Sequence, residues 1–171
     1  MEFQQLVRRR RSWRGFTDQA VTEEQVGQII EAARYAPSAI NRQPWVFAVV
    51  RSRDVIEGSC PAFYRAEWIR SAAVLIVVCY DRDKLSDRDQ GRGADFYGIQ
   101  DTAAATQNML LCAEDIGLNA CWVGGYDENA CRDYFGLSSK LRPVGIIAAG
   151  YGKTAPEPRR MRPAADVTLH L

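Results

Sequence analysis

Pro37-Ser38-Ala39-Ile40-Asn41-Arg42-Gln43-Pro44-Trp45 divides two kinds of hydrophobic spacing. On its N-terminal side Val26, Ile29, Ile30 and Ala33 recur at the spacing of one helix face. Thr22-Glu23-Glu24-Gln25 has the form of a capping box, with Thr22 as N-cap and Gln25 reaching back. A helix over 23–35 follows, and Pro37 stops it. On the C-terminal side, residues 45–50 are branched and aromatic, which predicts a strand. Between them, two prolines hold the chain extended while Ser38, Asn41 and Gln43 offer donors and acceptors to an amide-rich heterocycle. An ordinary polar turn uses the same residue types, so the loop by itself leaves both readings open.

Further along, residues 73–79 form an unbroken apolar run, the mark of a strand covered on both faces. Ala105, Met109, Cys112 and Ile116 predict a second long helix over 101–116, with Gly117 as its terminating residue. Residues 121–123 and 144–149 read as further buried strands. Helices and strands mix without strict βαβ alternation, which favours an α+β fold over a doubly wound one. After Pro156 and Pro158 the composition changes to Arg159-Arg160-Met161-Arg162-Pro163. Alternation of Val167, Leu169 and Leu171 then suggests a half-buried terminal strand, suited to joining a neighbour's sheet. At 171 residues, with no repeat or convincing linker, the chain is expected to be one domain over 1–171.

Composition removes several function classes. Hydrophobic residues at 47% and charged residues at 25% are an ordinary globular balance, and a net charge of +1 argues against nucleic acid or membrane as the main partner. A basic interaction module working through residues 8–11 is disfavoured for the same reason. No apolar stretch follows those arginines, so no secretory signal is expected. Cys60, Cys79, Cys112, Cys121 and Cys131 are odd in number and lack a CxxC pair, which suits free thiols and a cytoplasmic location. The single histidine is His170, next to the end. Histidine-based triads and metal motifs would have to rest on the tail, so no metal site is expected, and the protein either borrows its chemistry from a cofactor or does none.

Gly152-Lys153-Thr154 fails as a phosphate-binding loop, because Ile147 stands where the motif needs glycine and Ala155-Pro156 cannot open a helix cleanly. Two other segments do better. In Arg10-Arg11-Ser12-Trp13-Arg14-Gly15-Phe16, guanidiniums and a hydroxyl can converge on a phosphate. The same run also reads as the solvated basic end of a first helix. Trp122-Val123-Gly124-Gly125 places paired glycines after a strand, where backbone N–H groups can approach a ligand or simply turn the chain.

Taken in order, these segments resemble the nitroreductase family of FMN enzymes. The resemblance runs from Arg9-Arg10-Arg11-Ser12 and Phe16 through Val21-Thr22-Glu23-Glu24-Gln25, Ala32-Ala33-Arg34-Tyr35-Ala36-Pro37-Ser38 and Asn41-Arg42-Gln43-Pro44-Trp45. It resumes at Asp101, Gln107-Asn108-Met109-Leu110-Leu111, Gly117-Leu118 and Cys121-Trp122-Val123-Gly124-Gly125, and closes on Gly150-Tyr151 and Arg160-Met161-Arg162.

The resemblance implies an α+β nitroreductase-like fold with a central, mostly antiparallel sheet flanked by helices. It implies a homodimer with two FMN sites at the interface and the C-terminal strand exchanged between subunits. Arg10, Ser12 and Arg14 would then hold the FMN phosphate and ribityl chain, with Arg160 and Arg162 closing over the phosphate. Arg11 would act mainly through its backbone. Pro37, Ser38 and Ala39, with Asn41 nearby, would come from the other subunit, Gly124 and Gly125 would lie beside flavin N5, and Gln43, Trp122 and Val123 would also belong to the cofactor site. Arg65 and Glu67 fall roughly where larger members place polar residues around the ribityl chain. The implied activity is ping-pong transfer of hydride from NAD(P)H, through the flavin, to a small oxidised acceptor such as a nitroaromatic or quinone. The alternatives are a flavoprotein of this fold with one specialised metabolite substrate, or one serving storage or sensing. The stretch between Tyr80 and Asp101 is short and charged, which implies an abbreviated lid and an open pocket. Cys121 reads either as a flavin contact or as a structural thiol, and Trp122 and Tyr126 either as stacking or as core residues.

Overall fold

The unbroken apolar run becomes strand β2 (Val74–Asp81), buried at every residue but its last. In the computed structural model, which describes residues 2–85 and 96–171, β2 lies between β1 (Trp45–Val50) and β4 (Leu141–Gly150). Strand β3 (Asn119–Val123) lies outside β4, giving the order β1-β2-β4-β3, with each neighbouring pair antiparallel. The expected α+β class and antiparallel sheet are therefore present.

Period-two alternation along β2 feeds two cores. Val74, Ile76 and Val78 join Val26, Ile29 and Ala33 of α2 (Glu23–Arg34) and Ala105, Met109 and Ala113 of α4 (Gly98–Asp115). Leu75, Val77 and Cys79 face the other way, onto Phe16, Ile56 of α3 (Arg53–Ser59), Ile69 and Cys131 of α5 (Glu128–Tyr134). Between Val78 and Cys79 the register with β4 slips, so that Cys79 opposes Pro143. Strand β3 reaches only as far as Ile146, so Pro143 sits where β4 has no second neighbour and a missing N–H is tolerated.

Helix starts and stops follow local chemistry. The capping box of α2 is complete: Gln25 N–H donates to Thr22 Oγ1 at 3.1 Å, and Thr22 N–H donates to Gln25 Oε1 at 3.0 Å. Helix α4 ends through Gly117, whose φ of 81° is open to glycine, while Leu118 N–H returns to the Ala113 carbonyl at 2.8 Å. Asn108 Nδ2 donates to the Ala32 carbonyl at 3.0 Å and ties α4 to α2. The first helix, α1 (Phe3–Arg9), docks on α4 through Arg9 and the buried Glu114, 3.2 Å apart.

One expectation, a terminal strand, is not seen in the single chain, and another falls outside the described residues. In the single chain, residues 167–171 form no strand: Ala164–Val167 is a 3₁₀ turn, and Val167, Leu169 and Leu171 are exposed. An alternating segment without a sheet edge to pair with has nothing to hold it as a strand. The expected short lid between Tyr80 and Asp101 is described only as far as Leu85 and again from Phe96, and the rest lies outside the described residues. Among the described residues, no helix is long and apolar enough to cross a membrane.

Candidate functional site

After α1 the chain runs extended along the ends of β3 and β4. Ser12 bridges Ala120, Trp13 N–H donates to the Ala120 carbonyl at 3.1 Å, and Phe16 bridges Gly152. Phe16 is fully buried and anchors the arm. Extended backbone turns alternate residues to one side, so Arg10, Ser12 and Arg14 share a face. That face looks toward Cys121: the Ser12 side chain hydrogen-bonds its thiol, and Arg14 and Arg10 both act on it electrostatically. Burial outweighs all three and pushes the Cys121 thiol up, which favours the protonated thiol at neutral pH.

The neighbouring arginines have separate roles. Arg9 is committed to Glu114. Arg11 turns its Nη1 back onto the carbonyls of Arg8, Arg9 and Arg10, closing the C-terminus of α1, which leaves mainly its backbone for other contacts. Arg10 and Arg14 make no ion pair among the described residues. Burial, and then the guanidiniums of Arg159 and Arg11, lower the Arg10 pKa from its ordinary value. Glu114, already paired with Arg9, offsets this only in part, and cations packed together favour an incoming anion.

The opposite wall is built by residues 62–66, zipped along the glycine turn. Tyr64 N–H donates to the Gly125 carbonyl at 2.8 Å, Phe63 bridges Tyr126, and Asp127 N–H donates to the Ala62 carbonyl at 2.9 Å. Between the walls lies an open pocket of about 170 Å³ lined by Arg14, Tyr64, Arg65, Trp68, Cys121 and residues 122–125. No atom lies within 4 Å of where a side chain on Gly124 would begin, so the backbone there is open to a ligand. Trp122 packs its indole over Gly145, where a side chain would collide with the ring, and remains 40% exposed. Val123 is buried beneath the turn. Tyr126 packs edge-on to Phe63 with ring centroids 6.4 Å apart, a core contact.

The other half of the expected site lies elsewhere in the chain. The 38–43 loop precedes β1, whereas the glycine turn follows β3, and these are the two outer strands. Three strand spacings separate them, about 14 Å. Within the loop Gln43 N–H donates to Ser38 Oγ at 3.0 Å, and Gln43 Nε2 donates to Asn41 Oδ1 at 3.1 Å; Pro37 is exposed and Ala39 half-buried. Arg160 and Arg162 are exposed on the C-terminal arm, and Arg162 donates to the Asp166 carbonyl at 2.6 Å. Arg159 instead reaches α1, donating to the Val7 carbonyl at 2.9 Å, and stands beside Arg10. Arg65 lines the pocket, while Glu67 is paired with Arg70.

Sequence reasoning missed Tyr64 and Trp68 as pocket walls and Arg159 as the neighbour of Arg10. No spacing rule links residue 64 to residue 125, so the backbone pairing of those segments had no readable signal. Arg159 stood in the basic run of the arm, but only the docking of that arm singled it out.

The Nitroreductase family model matches residues 7–58 and 59–151. The chain belongs to the nitroreductase family. A relative from Archaeoglobus fulgidus, provisionally named an NADH dehydrogenase/NAD(P)H nitroreductase, is 35% identical over 86% of this chain and 84% of its own length. The FMN reductase [NAD(P)H] of Bacillus subtilis is 30% identical over 91% of this chain and 69% of its own. A provisionally assigned nitroreductase of Desulfovibrio desulfuricans, crystallised in complex with FMN, superposes with a TM-score of 0.83 at 31% identity. That likeness covers 100% of this chain and 97% of the other. The nitroreductase fold thus spans both the N-terminal arm and the glycine turn that frame the pocket.

Proposed function

We propose that the chain is an NAD(P)H-dependent FMN oxidoreductase, passing hydride in ping-pong order to a small oxidised acceptor such as a nitroaromatic or quinone. The observation that carries this reading is the convergence of the unpaired Arg10 and Arg14, with Ser12, on Cys121 beside the open backbone of Gly124. The donor set fits FMN: guanidiniums and a hydroxyl for the phosphate and ribityl chain, and backbone amides without side chains for the edge of a flat ring. FMN supplies the two-electron chemistry at its N5 position, so the protein needs no catalytic side chain.

In this reading Arg10 and Arg14 neutralise the phosphate, and Ser12 adds a hydroxyl. Arg11 contributes its backbone, while Arg160 and Arg162 close over from the arm. Trp122 and Val123 hold the glycine turn against the sheet, so that Gly124 and Gly125 present N–H groups in a fixed place. A pocket of about 170 Å³ is smaller than ordinary cofactor sites, roughly 300 Å³ and upward, so a flavin needs a second wall. A second copy of the chain provides it, with Pro37, Ser38, Ala39, Asn41 and Gln43 facing the ring from the opposite side. The whole chain, 1–171, then works as one domain within a homodimer. Among the described residues the outer edge of β1 has no neighbouring strand, Val46 and Val49 are exposed, and residues 167–171 of the second copy can pair there.

The test is an absorption spectrum of the purified protein before and after anaerobic NADH or NADPH. A flavin band that bleaches, then returns on adding a nitroaromatic or quinone, is the expected result. A band that does not respond to either nicotinamide points to a flavoprotein without this turnover. No band, even after incubation with FMN, overturns the reading.

A further inference from the structure

Among the described residues, one buried side-chain polar atom has no hydrogen-bond partner: Oδ2 of Asp101. Asp101 lies in the first turn of α4 and is 6% exposed. Its other oxygen, Oδ1, accepts the Ala39 N–H at 3.1 Å. As a device for stabilising the fold this is poor, because a desolvated carboxylate gains one backbone bond and keeps an unsatisfied oxygen. Burial raises its pKa despite the Ala39 bond, in keeping with that imbalance.

The bond leads into a loop that needs holding. Ile40, Asn41 and Gln43 all have left-handed backbone, with φ of 52°, 56° and 50°, and none is glycine. For a β-branched residue such as Ile40 this conformation is a real outlier. Such residues persist only where the surroundings over-determine them. The ties of Ser38, Asn41 and Gln43 to one another stay inside the loop. Toward the body of the fold, Arg42 reaches the Lys84 carbonyl at 3.2 Å on the exposed surface, and the Ala39–Asp101 bond is the partly buried one.

We propose that Asp101 is the positioning residue of the 38–43 loop: its carboxylate grips the Ala39 N–H and so sets where Ser38, Asn41 and Gln43 stand toward the flavin. This rests on the FMN reading above. The loop enters its 3₁₀ turn at Ala39, so one grip at that residue orients all that follows.

The test compares full-length wild type, Asp101→Ala, Asp101→Asn and Asp101→Leu in two measurements. One is amide hydrogen exchange across residues 38–43 without flavin, and the other is FMN affinity by fluorescence titration. Asp101→Ala is expected to speed exchange across the loop and weaken FMN binding about tenfold, the scale of one hydrogen bond to a charged group, at an unchanged melting temperature. Asp101→Asn keeps an oxygen acceptor and is expected to restore both, whereas Asp101→Leu, of similar size without an acceptor, is expected to behave as Asp101→Ala; rescue by Leu would point to packing alone and overturn the proposal.

Should Asp101→Ala not fold, Ala39→Pro deletes the same bond from the donor side. Ser38, at φ −143° and ψ 156°, already has the backbone that a following proline requires. Ala39→Pro should then weaken FMN binding as Asp101→Ala would. Unchanged exchange and unchanged affinity in a folded Asp101→Ala or Ala39→Pro protein overturn the proposal. If wild type binds no FMN, the flavin reading has failed, while loop exchange in the same variants still decides whether Asp101 holds the loop.

Discussion

Arg9, Arg10 and Arg11 are chemically identical and adjacent, yet each has a different role. Arg9 spends its charge on Glu114, and Arg11 closes the end of α1. Only Arg10, joined by Arg14 two turns of extended chain later, is left uncommitted beside the pocket. Removing either cation leaves the arm's anchors, the Ser12 bridge and buried Phe16, in place. Arg10→Ala and Arg14→Ala should therefore fold normally and each lose about tenfold or more in FMN affinity, the scale of a charge-assisted hydrogen bond. Flavin titration with circular dichroism checks this, and full retention in both variants would refute the phosphate assignment. The residue types of this cluster were legible in the sequence; the shared face of Arg10, Ser12 and Arg14 came only with the extended backbone of the arm. Which arginines were free was not legible, because that depends on Glu114, a hundred residues away along the chain.

At the scale of elements, legibility followed length and burial. Helix α2 was readable because a capping box and a stripe of apolar residues agree, and both are present. Thr22→Ala should cost about 1 kcal/mol by leaving an N-terminal amide unpaired. It should also disturb Gln25, whose Nε2 donates to the Tyr151 hydroxyl at 3.0 Å. A thermal melt of the variant, expected to fall by a few degrees with unchanged flavin stoichiometry, measures it. Helices α3 and α5 escaped notice because each presents a single large or sulfur-bearing core residue, Ile56 in one and Cys131 in the other. One buried position carries no period. Asp127 caps α5, accepting from Ala130 N–H at 2.7 Å, while Ser52 ahead of α3 makes no capping bond, and a cap without a stripe is a weak signal.

At the scale of the whole molecule, the single chain leaves matched features unsatisfied. Among the described residues the outer edge of β1 has no neighbouring strand, and the C-terminal residues Val167, Leu169 and Leu171 are apolar, alternating and exposed. The glycine turn and the 38–43 loop stand at opposite edges of one sheet. Two copies related by symmetry would resolve both at once. Deleting residues 167–171 should shift sedimentation toward monomer and lower flavin content along with it. An unchanged dimer after that deletion would rule out strand exchange.

The sequence by itself determined the α+β class, the four strands of the sheet, the two long helices, and two of the segments that frame the pocket, because hydrophobic period, capping and turn chemistry are local. Only the tertiary structure decided which guanidiniums stay uncommitted, that Tyr64 walls the glycine turn, and that Asp101 holds Ala39. These depend on residues 61 to 105 positions apart being brought together by the fold, and no local pattern encodes such a meeting.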